Sequence, residues 1–208
     1  MPDGSPTPAG QLNAAGDTRL AILDNGLTVI VREDHSAPVA SVQAWAKTGS
    51  IHEGAWLGAG LSHILEHMLF KGTETRGVGR IDQEVQEAGG YMNAYTSFDV
   101  TVYHATLPTA EVTLGLDVLA DAVVDSAFDP GEITREIDVV LEEIRSSEDS
   151  PGSVVGNALC AAVYRTHPYG APILGSPESV ESFDRDRVRG FFQRWYTPDH
   201  LCVVVAGD

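Results

Sequence analysis

Apolar and polar positions fall into a regular pattern from Thr18 onward. TRLAIL and LTVIVRED flank Asp24-Asn25-Gly26, which predicts a β-hairpin turning at Asn-Gly. VASVQAWAKTGS (39–50) alternates and predicts a strand. YMNAYTS (91–97) and DVTVYHATLP (99–108), rich in aromatic and β-branched residues, predict a strand pair, and HLCVVVAGD predicts a closing strand. Helical spacing marks 56–70, 77–88 (stopped by Gly89-Gly90), 109–126, 130–147, 152–165 and 184–195. HPYGAPILGSPES (167–179) reads as a loop from its Pro and Gly content. Hairpins and helices mix without βαβ alternation, so the expected fold is α+β, a mixed and largely antiparallel sheet packed against helices. Residues 1–17, rich in Pro, Gly and small polar residues, are expected to be a flexible tail, and 18–208 one domain.

Composition narrows the possibilities. A chain of 208 residues has room for one sizeable core. Its net charge of −17 sets it against nucleic acid phosphates and anionic lipid surfaces, so neither is expected as a partner. No apolar run approaches the roughly 18 residues that span a bilayer. Cys160 and Cys202 form no CxxC or Cys/His cluster and are expected to be two buried thiols rather than a disulfide. The start shows neither a secretory signal nor an Arg-rich transit segment, which gives a cytoplasmic expectation.

Candidate chemistry concentrates in WLGAGLSHILEHMLF (56–70). Leu57, Leu61, Ile64, Leu65 and Met68 make an apolar stripe, and Ala59, Leu69 and Phe70 extend it, so this helix should be buried on most sides. Yet it carries His63, Glu66 and His67. Burying two imidazoles and a carboxylate costs several kcal/mol unless they find partners. His63 and His67 are i and i+4, so one face presents both rings, as two ligands of one Zn²⁺ require. Glu66 can stand beside such a metal without ligating it and take a proton from water as a general base. HxxEH is the inverted zincin motif, although three fixed residues also occur by chance.

A catalytic zinc normally takes a third protein ligand. In PGEITREIDVVLEEIRSSED (130–149) the apolar face is Ile133, Ile137, Val140, Leu141 and Ile144. Glu142 points away from it, whereas Glu136 and Glu143 share one flank two turns apart. Periodicity leaves Glu136 and Glu143 both open as ligands. His35, His52, His104, His167 and His200 are expected to be surface or hydrogen-bonded histidines, and Lys71-Gly72-Thr73 a loop ending the helix. GxGxxG-like clusters and a GxSxG elbow are absent, which removes support for nucleotide binding and serine hydrolysis.

HILEHMLFKGT (63–73), YMNAYTSFDVTVYHATLP (91–108), REIDVVLEEI (135–144) and HPYGAPILGSPESV (167–180), in this order, resemble the pitrilysin/insulinase family of zinc metallopeptidases, which includes the processing peptidases. The resemblance runs from about residue 18 to 208 and implies the N-terminal catalytic domain of a clamshell. It implies one Zn²⁺ held by His63, His67 and Glu143, the last standing 76 residues beyond His67. Glu66 would be the general base, and Glu136 would complete the catalytic group by supporting the metal ligands without binding the ion. Asn93-Ala94 would bind a peptide or unfolded polypeptide substrate as an extended strand at a sheet edge. A second, similarly folded domain or chain would supply further substrate contacts, typically an Arg and a Tyr. The implied function is a zinc-dependent endopeptidase, with a non-catalytic binding or scaffold subunit as the alternative and a closed structural zinc site as the third reading. The complete motif favours catalysis.

Overall fold

The computed structural model describes residues 13–15 and 18–208. A seven-stranded mixed sheet has the order β1-β2-β3-β7-β4-β6-β5. Its strands are β1 (Asn13–Ala15), β2 (Thr18–Ile22), β3 (Thr28–Glu33), β4 (Val39–Ala46), β5 (Tyr91–Thr96), β6 (Thr101–Pro108) and β7 (Leu201–Gly207). Among the described strands β3 and β7 pair in parallel, and the other neighbours are antiparallel. Among the described residues seven α-helices accompany them: α1 (Leu61–Met68), α2 (Arg80–Glu87), α3 (Val112–Asp125), α4 (Pro130–Glu148), α5 (Pro151–Val163), α6 (Pro177–Glu181) and α7 (Arg185–Trp195). The expected α+β architecture is therefore present.

The core follows the alternation of the central strands. On β4, Ala40, Val42, Ala44 and Ala46 are buried, and α3 packs over β4 and β6. The intervening Ser41, Gln43 and Trp45 lie half-buried on the opposite face. There Trp45 Nε1 donates to Gln43 Oε1 at 2.8 Å, and Gln43 Nε2 donates to Ser41 Oγ at 3.1 Å. Polar groups on that face thus keep partners within the face itself. The Asn25-Gly26 turn forms as expected, with Gly26 at φ 91°.

Several boundaries differ from the sequence reading. Residues 13–15 pair with β2 as a strand rather than continuing the tail; the rest of the expected tail, 1–12 and 16–17, lies outside the described residues. The helix expected over 56–70 is confined to Leu61–Met68, preceded by a 3-10 turn at Gly54–Trp56. Leu57 consequently leaves the apolar stripe and is exposed, as is Trp56. The break is set at Gly60, which has φ 86°. A side chain there would meet the Leu174 carbonyl oxygen at 2.4 Å, so glycine lets the 170–175 loop lie against the start of α1. The expected loop 167–179 also contains a 3-10 turn at Pro168–Gly170 and the start of α6, capped by Ser176. Cys160 and Cys202 are free thiols but only partly buried; Cys160 borders a cavity along α5, and Cys202 lies on β7.

Candidate metal centre

Leu61, Ile64, Leu65 and Met68 are at most 2% exposed. Each such burial contributes about 1.5–3 kcal/mol, which seats α1 deep in the molecule and desolvates its polar residues with it. The start of α1 has no cap from its own Gly60. Glu53 supplies one from a distance: Oε1 accepts the Ser62 N–H at 2.9 Å and Oε2 the Ala59 N–H at 3.2 Å. Burial pushes this carboxyl up to about 7 despite those bonds. Glu53 was not singled out in the sequence, because it stands outside the helix it caps.

α4 faces α1. Asp129 caps α4 by accepting the Gly131 and Glu132 N–H groups at 2.8 and 3.1 Å, and Pro130 opens the first turn. Ile133, Val140 and Ile144 are buried, while Ile137 and Leu141 pack against the core cluster. That seating turns Glu136 and Glu143 toward α1 from successive double turns. Glu142 points to solvent and pairs with Arg145, as its position opposite the apolar face requires.

Glu143 Oε2 lies 3.3 Å from His63 Nε2, and Glu143 Oε1 lies 3.7 Å from His67 Nε2. One ligand atom from each of His63, His67 and Glu143 falls within 4.8 Å of the others, so the three could hold a metal ion. Glu136 contacts the other side of the same ring: its Oε2 is 2.9 Å from His67 Nδ1, and its Oε1 is 2.8 Å from Lys71 Nζ. Periodicity had left Glu136 and Glu143 equivalent; the geometry separates them. Lys71 lies in the loop that ends α1, as expected, and from there neutralises Glu136.

The electrostatics suit a cation. Burial lowers the His63 pKa to about 3, with the neighbouring His67 adding to the effect, so its imidazole is neutral and free to ligate. Burial also opposes protonation of His67, but its hydrogen bond to Glu136 and the charges of Glu143 and Glu66 outweigh this and raise its pKa. Glu136 is held low by His67 and Lys71 against its own desolvation. Burial raises Glu66, partly countered by a 2.5 Å hydrogen bond donated by Thr96 Oγ1 to its Oε2. Three carboxylates thus converge beside one lysine, and His63 Nδ1 is buried with no protein partner. Two imidazoles and a carboxylate are a zinc donor set, and a metal on His63 Nε2 would fix the tautomer that leaves Nδ1 protonated.

An open cavity of about 840 Å³ adjoins His63 and Glu66, walled by Thr96 of β5, by small residues of α5 and by the 170–175 loop. Asn93 and Ala94 lie on β5, an edge strand of the sheet. Asn93 is exposed and holds the Ala94 N–H with its own Oδ1 at 2.8 Å. Among the other histidines, His35, His52, His167 and His200 make hydrogen bonds away from the metal cluster, to Asp208, Gly49, Tyr169 and Thr197 respectively. His104 sits opposite Asn93 on β6.

An HxxEH helix laid against a helix that brings a distant glutamate to both imidazoles, on a mixed sheet, defines the inverted-motif class of metallopeptidases. The model of the family described as Insulinase (Peptidase family M16) matches residues 28–177, and the chain belongs to that family. It is 39% identical over 184 residues to the uncharacterized zinc protease YmxG of Bacillus subtilis, covering 88% of this chain and 45% of that protein. It is 37% identical over 194 residues to the Arabidopsis thaliana protein named probable mitochondrial-processing peptidase subunit beta, covering 93% and 36%. A protease from Helicobacter pylori superposes with a TM-score of 0.86 at 29% identity, over 92% of this chain and 46% of that one. The first half of the periplasmic protease PqqL from Escherichia coli superposes at 0.84 and 26%, over 96% and 44%. The chain thus spans less than half the length of these relatives. Among the described residues no helix is long and apolar enough to cross a membrane. The relatives' names include a mitochondrial and a periplasmic protein, so they lend the cytoplasmic expectation no support.

Proposed function

We propose that residues 18–208 form the zinc-binding half of a zinc-dependent endopeptidase. What carries this reading is the convergence of His63, His67 and Glu143 beside a carboxylate, Glu66, that takes no part in the cluster. Zinc, when bound by those three residues, supplies Lewis acidity toward a water and a peptide carbonyl. Glu66 accepts the proton of the attacking water and later returns it to the departing amine. Glu136 and Lys71 orient His67 through its Nδ1. A peptide substrate adds to the outer edge of β5 near Asn93 and Ala94, held by main-chain hydrogen bonds that tolerate many sequences. A second domain or chain completes the substrate site, in keeping with relatives about twice as long.

Glu66→Gln in the complete protein tests this. Chelator-sensitive peptide cleavage should fall by about 10²–10⁴-fold with zinc content unchanged. Undiminished cleavage removes Glu66 from the chemistry; absence of chelator-sensitive cleavage by the parent protein leaves the scaffold reading in its place.

A further inference from the structure

We infer that Thr96 is a positioning residue whose hydroxyl pins one oxygen of the Glu66 carboxylate. The inference rests on the peptidase reading above, in which Glu66 is the base. Its basis is local geometry. Alternation along β5 leaves Tyr91, Asn93 and Tyr95 exposed and turns Met92, Ala94 and Thr96 inward, toward α1. Thr96 ends the strand and pairs with Thr101 of β6, whose own hydroxyl donates to the buried Thr48 carbonyl at 3.0 Å. The backbone beneath Thr96 is therefore fixed at the ladder. Its branched side chain has one rotatable bond to set, so the ladder also sets the hydroxyl direction.

That hydroxyl donates to Glu66 Oε2 at 2.5 Å, and the Thr96 backbone N–H also acts on the carboxylate. Glu66 has three side-chain torsions and stands beside His67 and Glu143, which pull and push its charge. One short bond to a rigid strand removes that freedom before substrate arrives. The bond also survives the proposed chemistry. When Oε1 takes a proton from water, Oε2 becomes the carbonyl oxygen of the acid and still accepts from Thr96. The strand proposed to dock the substrate is thereby the strand that aims the base, so peptide register and base position share one support.

The test compares Thr96→Val, which keeps the branched shape and removes the donor, with Thr96→Ser, which keeps the donor. Each is made in the complete protein and measured for peptide cleavage, zinc content and, metal-free, by crystallography. The valine variant should lose about 10–100-fold in kcat with KM within about threefold and zinc content intact, and serine should restore most of the loss. In the metal-free crystals the Glu66 carboxylate should leave its place in the valine variant and keep it in the serine variant. Parental kcat with valine, an equal loss with serine, or loss of zinc with valine overturns the inference. If the valine variant does not fold, Thr96→Ala takes its place under the same criteria. If the parent protein shows no chelator-sensitive cleavage, the peptidase reading fails separately; the crystals then decide for Thr96, and an unmoved Glu66 in the valine variant overturns it.

Discussion

α4 and α5 follow one another in the chain and both border the candidate metal centre, yet they are built on opposite terms. α4 has a mixed surface: Ile133, Val140 and Ile144 are buried, and its carboxylates Glu136 and Glu143 are delivered to the two imidazoles of α1. α5, PGSVVGNALCAAV, is the more apolar helix by composition, and none of its residues is buried. Packing energy therefore goes to the helix that must hold a ligand to a few tenths of an ångström. The helix lining the open cavity is left with small side chains on that side, Gly156 and Ala161 among them, and exposed Val155, Leu159 and Val163 elsewhere. Precision at the metal and room beside it come from different helices.

The sharpest way to break this comparison is to swap the roles assigned within α4. Glu143→Gln should lower zinc affinity, measured by competition with a chelator, by more than about 100-fold. Glu136→Gln should stay within the 10–100-fold that an outer partner of a ligand carries. The reverse order would make Glu136 the ligand and Glu143 its support.

This division also explains what could be read from the chain. His63, Glu66 and His67 were legible because polar groups on an otherwise apolar helix need a partner, and their spacing names it. Glu136 and Glu143 were legible as a pair, since a flank position follows from helical period; telling them apart needed the resemblance. Thr96 was invisible, because a threonine in an alternating strand looks like any β-branched strand residue. Glu53 caps a helix that begins eight residues later, across a 3-10 turn, and no local pattern announces such a bond. The end of the stripe at Leu57 was missed because the apolar spacing continues through Gly58 and Gly60, where the backbone does not.

Glu53 sharpens the contrast from the α1 side. Its carboxyl is raised from 4.5 to about 7 by burial. Between those values the unfolded chain has released a proton that the folded chain retains, so stability falls as pH rises through this window, and the cost is complete above it. The size is on the order of 3 kcal/mol, at about 1.36 kcal/mol per pH unit. Glu84, Asp121 and Glu136 have lowered pKa values and work the other way, losing their contribution as pH falls through the acid range. In Glu53→Gln the burial cost is absent. Urea unfolding of the 208-residue chain should show the variant gaining on the parent steadily from pH 4.5 to 7 and levelling off beyond. A pH-independent difference would mean that the carboxylate is not desolvated in solution.

The smallest effect belongs to α5, and it is the one that tests the comparison most directly. Ile144 on α4 is 6% exposed, and Ile144→Ala should cost about 2–5 kcal/mol by loss of burial and the cavity left behind. Leu159 on α5 is 61% exposed, so Leu159→Ser should change unfolding free energy by no more than about 0.5 kcal/mol, although it is the more drastic change in polarity. The two substitutions lie on adjacent helices, so a shared error in the reference state largely cancels. A cost for Leu159→Ser above about 1.5 kcal/mol in the same urea titration would mean that α5 is covered in solution. Its apolar face away from the cavity would then be part of a packed surface rather than an exposed one, and the contrast with α4 would fail.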